Sequence, residues 1–147
     1  GYPLSVFETA VRNLRERGIE VIVHTILGLP GESQEDILAT MKYLNHRDIQ
    51  GIKLQLLHVL KDTDLAQEYL EGKFHVYERE EYLNLVIRCL ENLDPEIVIH
   101  RMTGDGPEKL LLAPLWTGRK REVLNLLHHQ MKVCDSWQGK QFHSLPE

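Results

Sequence analysis

A glycine-rich turn, Gly28-Leu-Pro-Gly-Glu32, separates an apolar run from a helical pattern. Gly28 and Gly31 allow positive φ and close approach of a ligand to the backbone, while Pro30 fixes one φ and lacks an N–H. A helix start is a ready anion site, but the Glu32 carboxylate would repel an anion there. The turn therefore favours a neutral or cationic ligand with hydroxyl or amine donors. The alternative is a plain strand-to-helix connection with no ligand.

Three histidines, His24, His58 and His100, fall in or just after predicted strands. Neutral imidazole is a common metal ligand, but no short-spaced pair such as H-x-x-x-H is present to anchor a site. We therefore predict no metal site. We expect His24 to be a hydrogen-bonded core histidine, and His58 and His100 to face a cavity.

Lys53 lies within a mostly apolar strand, where lysine is rarely buried without a partner. If it faced the lumen of a barrel, it would bind a carboxylate of the substrate or cofactor. Arg101 and Asp105, with the turn Thr103-Gly-Asp-Gly106, would form a second polar wall. Aspartate between glycines is equally a standard turn sequence. We take Lys53, His100, Arg101 and Asp105 as the candidates on the substrate side.

The two cysteines do not form a ligand pattern. Cys89 falls on the apolar face of a helical pattern, which predicts a buried structural thiol. Cys134 lies near a polar tail and is expected to be exposed. Unpatterned cysteines fit a reducing compartment, so we expect a cytoplasmic protein. The sequence contains no serine nucleophile elbow, Walker loop or paired-carboxylate pattern.

Apolar periodicity predicts strands that alternate with helices, which implies βαβ units with parallel pairing. Ser33 and Asp36 predict a capping box at the helix after the glycine-rich turn. The predicted strands cover residues 20–27, 51–57 and 96–100, the predicted helices cover 5–17, 34–47, 64–71, 78–93 and 119–133, and a short helical segment covers 107–113.

The composition is that of a globular domain with one core. The chain has 147 residues, of which 42% are hydrophobic and 27% charged, and no apolar run is long enough to span a membrane. A net charge of −5 gives no global attraction for nucleic acid. The basic run Arg119-Lys-Arg121 is a local exception. It indicates either a solvated helix face or a phosphate contact.

Five motifs together resemble those of one enzyme family. In their order and approximate spacing, they are similar to the C-terminal half of a radical S-adenosylmethionine (radical SAM) protein of the YhcC/YtqA-like family of predicted Fe–S oxidoreductases. The resemblance extends from about residue 10 to residue 140. The motifs are Gly28–Glu32, Gly51–Thr63, Ile97–Pro107, Ala113–Trp116 and Ser136–Lys140.

The resemblance implies an α/β fold, the C-terminal portion of a partial (β/α) TIM-like barrel of the radical SAM type. Residues 1–75 would be the C-terminal half of that barrel, and residues 76–147 a family-specific, largely helical extension packed on the same core. Two positions depart from the family pattern, because Gln55 and Asp62 stand where it usually has His and Gly. These departures affect the substrate side more than the fold.

The resemblance also implies which residues bind the cofactor. The glycine-rich turn corresponds to the motif that holds the adenosyl group of S-adenosylmethionine, and the end of the next strand corresponds to the adenine side. In the full-length protein, a reduced 4Fe–4S cluster would cleave S-adenosylmethionine, and the resulting 5′-deoxyadenosyl radical would take a hydrogen atom from a substrate, with tRNA as one candidate. The implied cofactor-binding residues are Gly28, Leu29, Gly31, Glu32, Leu57, His58 and Val59.

The cluster requires three cysteines in a C-x-x-x-C-x-x-C loop, and this chain has no such loop. We therefore expect a fragment that is inactive alone and binds neither S-adenosylmethionine nor the cluster. A barrel cut in half would expose a strand edge, which predicts self-association. The alternative is a non-catalytic nucleotide- or RNA-binding module that uses the same turn and the basic last helix.

Overall fold

The computed structural model describes residues 1–143, which are arranged around a parallel sheet with the strand order β1-β2-β4. A second sheet pairs β3 with β5 in antiparallel orientation. The strands are β1 (Ile22–Leu27), β2 (Gly51–Leu56), β3 (Val59–Leu60), β4 (Val98–Arg101) and β5 (Leu111–Ala113). The helices are α1 (Leu4–Glu16), α2 (Gln34–Asn45), α3 (Asp64–Leu70), α4 (Arg79–Asn92) and α5 (Lys120–Val133), with a 3₁₀ turn at Leu115–Gly118.

One face of the parallel sheet is covered by helices. Side chains alternate between the faces of a strand, and β2 places Ile52, Leu54 and Leu56 on the covered side, where each is almost fully buried. Helices α2 and α4 pack against this face and against each other, and α5 packs on α4. The core is therefore a layer of apolar side chains between one side of the sheet and two helices.

The two core helices are also linked by polar contacts at their ends. The Asn45 amide donates to the Asn92 carbonyl oxygen at 2.7 Å, and its own oxygen accepts from the Asp94 N–H at 2.8 Å. Arg88 donates to Gln34 and forms an ion pair with Glu35 at the start of α2. These contacts fix α2, and with it the turn that precedes α2, relative to α4.

The predicted parallel strands and the five predicted helices are confirmed, with ends that shift by a few residues. The short helical segment predicted for residues 107–113 is wrong, because residues 111–113 form strand β5. Lys61 N–H donates to the Leu110 carbonyl at 2.7 Å next to this pairing. A partner strand distant in sequence supplies the hydrogen bonds of β5, and local periodicity cannot show such a partner.

None of the helices in residues 1–143 combines the length and the apolar character needed to cross a membrane.

Candidate functional site at the carboxyl ends of the strands

The three parallel strands end at the same edge of the sheet. There, β1 leads into Gly28–Glu32, β2 leads into Leu57 and His58, and β4 leads into Thr103–Gly106. A hydrogen bond of 2.9 Å from Leu57 N–H to the Leu27 carbonyl joins the first two ends. In open α/β sheets, ligands bind in the crevice outside the carboxyl ends of the strands. The fold thus brings most of the sequence-predicted site residues to this edge.

The Gly28–Glu32 turn has a defined backbone shape. Glu32 N–H donates to the Leu29 carbonyl at 3.0 Å, and Gly31 has φ +80°. With Pro30 at the second position, these features match a type II turn. Gly28 has φ +88°, and a Cβ added there would lie 2.9 Å from the Tyr77 ring. Glycine is needed at this position for two reasons, its backbone conformation and the closeness of Tyr77.

The predicted capping box holds the helix that follows the turn. The Ser33 hydroxyl accepts from Asp36 N–H at 3.1 Å, and the Asp36 carboxylate accepts from Ser33 N–H at 2.9 Å. The bonds from Ser33 lower the pKa of the Asp36 carboxyl. The turn is thus followed by a well-formed helix start.

Glu32 is the unusual charge of the turn. Its Oε2 atom is buried and has no hydrogen-bond partner in the described structure. Burial raises the pKa of Glu32, a backbone hydrogen bond from Leu29 partly offsets that rise, and the neighbouring Asp36 carboxylate adds to it. An unpartnered carboxylate oxygen accepts hydrogen bonds from hydroxyl or ammonium donors, which is the ligand type that the sequence predicts for this turn.

His58 lies under the Thr103–Gly106 loop. A Cβ added at Gly104 would lie 2.2 Å from His58 Cε1, and one added at Gly106 would lie 3.2 Å from Nδ1. Burial lowers the pKa of His58, while the Asp105 carboxylate raises it by a smaller amount. Burial in this position therefore favours the neutral form of the imidazole. Among the residues that the structure describes, neither His58 Nε2 nor Thr103 Oγ1 has a hydrogen-bond partner, and both atoms are buried.

The remaining substrate-side candidates lie on the face of the parallel sheet that carries no helices. Register pairs His24 with Lys53 and Lys53 with Arg101, and the His100 ring lies over Gly51. Lys53 is half-buried and His100 is exposed. His24 is exposed, so the prediction of a core histidine is wrong. The neighbouring Val23 packs against the core, and alternation along β1 places His24 on the opposite face of the strand.

The other two residues implied for the adenine side are buried. Val59 is fully buried in a small cluster with Ala66 and Ala113, and Leu57 is 9% exposed. Their side chains offer little surface to a ligand. His58 is the most accessible residue of this segment.

Sequence reasoning missed the aromatic residues behind the site. Trp116 Nε1 donates to the Tyr77 carbonyl at 3.0 Å, and the Trp116 and Tyr82 ring centroids are 5.5 Å apart. The Tyr82 hydroxyl donates to the Met102 carbonyl at 2.7 Å, directly before the Thr103–Gly106 loop. These contacts connect Tyr77, which packs on Gly28, to Met102, the residue before the Thr103–Gly106 loop. The available signal was the motif Ala113-Pro-Leu-Trp116.

Comparison with known proteins identifies the family. The model of the Radical_SAM C-terminal domain matches residues 49–133. The chain belongs to this radical SAM C-terminal domain family. It is 38% identical to YtqA of Bacillus subtilis (strain 168) over 99% of this chain and 45% of YtqA. It is 29% identical to the tRNA uridine(34) acetyltransferase of Dehalococcoides mccartyi over 91% of this chain and 30% of that protein.

A solved structure shows the same fold as this radical SAM C-terminal domain protein. The archaeal Methanocaldococcus infernus Elp3 with an N-terminal deletion aligns with a TM-score of 0.77 and 19% identity, covering 94% of this chain and 32% of Elp3. The predicted fold class is confirmed: the protein has a parallel α/β sheet with a helical C-terminal part, as in the radical SAM domain. The chain spans less than half the length of the curated relatives it matches.

The radical SAM C-terminal domain protein has cysteines that do not suit an iron–sulfur cluster. Cys89 is buried, and burial raises the pKa of its thiol to about 12. Cys134 is exposed, as predicted. Within residues 1–143, no group of three His, Cys, Asp or Glu side chains could hold a metal ion. A 4Fe–4S cluster, which needs several thiolates, does not fit this chain.

Proposed function

We propose that this chain is the half of a radical SAM enzyme that holds the adenosyl part of S-adenosylmethionine. The supporting observation is the convergence of the Gly28–Glu32 turn, His58 and the Thr103–Gly106 loop at one edge of a parallel sheet. In this proposal, Gly28, Leu29 and Gly31 present backbone to the adenosyl group. S-adenosylmethionine and a 4Fe–4S cluster, when bound in the parent enzyme, would supply the radical chemistry.

The residues at the turn suit such a ligand. The buried Oε2 atom of Glu32 accepts no hydrogen bond from the part of the chain that the structure describes. The amino acid and ribose parts of S-adenosylmethionine carry ammonium and hydroxyl donors that could satisfy it. Gly28 lies against the Tyr77 ring, which fixes the backbone that the ligand would contact. The protein's task is to bind and orient the cofactor and to exclude water.

The cluster ligands come, in this proposal, from a part of the enzyme outside this chain. The two cysteines here lie on different elements, one buried and one exposed. We therefore propose that the chain alone is inactive. We further propose that residues 1–75 belong to the barrel and 76–147 to a family-specific extension, of which positions 144–147 lie outside the described residues.

The exposed edge of β1 supports a proposal of self-association. A cleft of about 730 Å³ runs along this edge between α1 and α2, and Ile22 and Ile26 are 38% and 47% exposed beside it. An unpaired edge with apolar neighbours recruits another strand. Light scattering should show concentration-dependent dimers that Ile22→Lys weakens and Leu115→Lys, at a 72% exposed control position, leaves intact. A strictly monomeric mass at high concentration contradicts the proposal.

RNA, and tRNA in particular, is the substrate class we propose. One relative is named as a tRNA uridine(34) acetyltransferase. Arg121 and Lys132 on α5 are exposed and form no ion pair within the part of the chain that the structure describes. The same basic helix also favours the second candidate function, a non-catalytic nucleotide- or RNA-binding module. Salt-dependent RNA binding by the chain alone, with no S-adenosylmethionine affinity in the parent protein, would favour the module.

A binding measurement on the parent protein tests the proposed enzyme. Calorimetry with S-adenosylmethionine on the cluster-loaded parent should show tight binding, and Gly28→Val should weaken it by at least about tenfold. Gly118→Val is the matched control, since a Cβ there meets nothing within 4 Å. Equal loss in both variants, or unchanged affinity in Gly28→Val, contradicts a role for the turn in binding.

A further inference from the structure

The Thr103–Gly106 loop closes over His58 at the carboxyl end of β2. Both of its glycines are in contact with the imidazole, because an added Cβ would lie 2.2 Å from His58 at Gly104 and 3.2 Å at Gly106. Glycine at these two positions lets the loop approach the ring more closely than any other residue would allow. The ring is thus covered by backbone rather than by side chains.

The closed arrangement leaves two polar atoms without partners. Thr103 is only 3% exposed, yet its Oγ1 atom makes no hydrogen bond, and His58 Nε2 is likewise buried and unpartnered in the described structure. Buried polar groups in proteins are nearly always hydrogen-bonded, so each exception calls for an explanation. Water or a ligand would satisfy both atoms if the loop moved away.

The loop is held loosely between two fixed ends. Within the described chain, Thr103–Gly106 makes no backbone hydrogen bond. The only ion pair that the loop makes with residues 1–143 joins Asp105 to Lys120 at 3.4 Å, with side chains that are 63% and 44% exposed. Exposed pairs of this kind contribute little and are screened by salt. By contrast, the Met102 carbonyl before the loop accepts from Tyr82, and Leu110 N–H bonds to Pro107 after it.

We propose that Thr103–Gly106 is a cover over His58, hinged at Met102 and Pro107, which opens to admit a ligand group to His58 Nε2 and the Thr103 hydroxyl. Each of these atoms can donate or accept a hydrogen bond, and the charge of Asp105 in the loop is paired with that of Lys120. The group they suit is therefore an uncharged, hydrogen-bonding part of a substrate, such as an amide or a base edge. His58 and this loop also belong to the proposed S-adenosylmethionine site, but the tests below measure opening of the loop and not binding of that ligand.

Opening is measured directly by the reactivity of His58. Diethyl pyrocarbonate, followed by mass spectrometry, should modify His58 more slowly than the exposed His100, but much faster than global unfolding of the same sample. Lys120→Met removes the ion pair without adding bulk and should raise the His58 rate by at most about fivefold, because an exposed pair contributes little. Modification of His58 only through global unfolding overturns the proposal, because the loop would then be a fixed cap.

A substitution of a loop glycine tests the same proposal by pushing the loop away from His58. Gly104→Ala places a methyl group against His58 and should force the loop open, which moves the NMR-observed pKa of His58 up towards that of a free imidazole. Gly118→Ala makes the same chemical change where nothing lies within 4 Å and should leave that pKa unchanged. If Gly104→Ala fails to fold, the rate of His58 modification relative to global unfolding in the wild type decides alone. A folded Gly104→Ala protein with an unchanged His58 pKa contradicts the proposed cover.

Discussion

The two glycine-bearing connections at the carboxyl edge of the sheet differ in how firmly they are held. The Gly28–Glu32 turn has an internal hydrogen bond and leads into a helix that begins with a capping box. The Thr103–Gly106 loop has no backbone hydrogen bond in the described chain and depends on one exposed ion pair. We infer that the first connection is built to present a fixed backbone, and the second to move over His58.

The largest effect is expected from Gly28→Ala. The substitution imposes positive φ on an alanine and places its Cβ 2.9 Å from the Tyr77 ring. The two penalties together should lower the free energy of unfolding by about 2 to 4 kcal/mol. Urea unfolding measures the change. Gly31→Ala is the matched control, since Gly31 also has positive φ but no atom within 4 Å of the added Cβ, and it should lose only about 1 kcal/mol. Equal losses would show that Tyr77 does not constrain the turn.

Tyr82→Phe should act mainly on the Thr103–Gly106 loop. The variant keeps the ring but leaves the Met102 carbonyl without the hydroxyl that donates to it at 2.7 Å. A loss of about 1 to 2 kcal/mol is expected, together with faster hydrogen exchange near Thr103 than near Gly31. Tyr2→Phe, at a 71% exposed position, should change neither quantity. Uniformly faster exchange at both connections would mean that Tyr82 stabilises only the core.

Ser33→Ala should act on the Gly28–Glu32 turn and the start of α2, and not on the Thr103–Gly106 loop. The substitution removes the hydroxyl that caps α2, at an expected cost of about 1 kcal/mol of unfolding free energy. Thermal unfolding with Ser5→Ala as the control measures this loss. Hydrogen exchange should increase at the start of α2 and remain unchanged at Thr103–Gly106. A matching increase in the loop would show that the two connections are not independent.

The smallest expected effect is on the pH dependence of stability, which should have opposite signs for substitutions of Glu32 and Asp36. Burial raises the folded pKa of Glu32, so its neutral form is favoured by folding and its unfavourable contribution grows as pH rises. Glu32→Gln should therefore be more stable than the wild type at neutral pH, and the difference should shrink below the carboxyl pKa of the unfolded chain. Bonds from Ser33 lower the pKa of Asp36, so Asp36→Asn should be destabilising at neutral pH and lose that effect in acid. Denaturant titrations from pH 3 to pH 8 compare the two variants, and parallel profiles would contradict the opposite shifts.

Much of the fold was accessible from the sequence. Apolar runs and periodic helices predict the parallel sheet, and Ser33 with Asp36 predicts the cap that is observed. The error at residues 107–113 arose because β5 exists only through pairing with β3, about fifty residues earlier in the chain. The error at His24 has a similar origin. The residues around His24 do not indicate which face of β1 the helices cover, because that face is set by packing with distant segments.

The candidate site was predicted in part. The residues after each strand were found because strand ends are recognisable and parallel strands end at one edge. The sequence did not show that Tyr77 packs on Gly28 or that the Thr103–Gly106 loop encloses His58, since both contacts join segments distant along the chain. Long-range packing of this kind is specified by the whole core rather than by a local motif.

The measurement that tests the central claim most directly is the formation of 5′-deoxyadenosine from S-adenosylmethionine after anaerobic iron–sulfur reconstitution and reduction. It should be made on the parent protein and, in parallel, on this chain alone. We expect the parent to form a cluster and 5′-deoxyadenosine and the chain alone to form neither. Cluster absorbance and 5′-deoxyadenosine from the chain alone, or no product from a parent with a full cluster, would contradict the account.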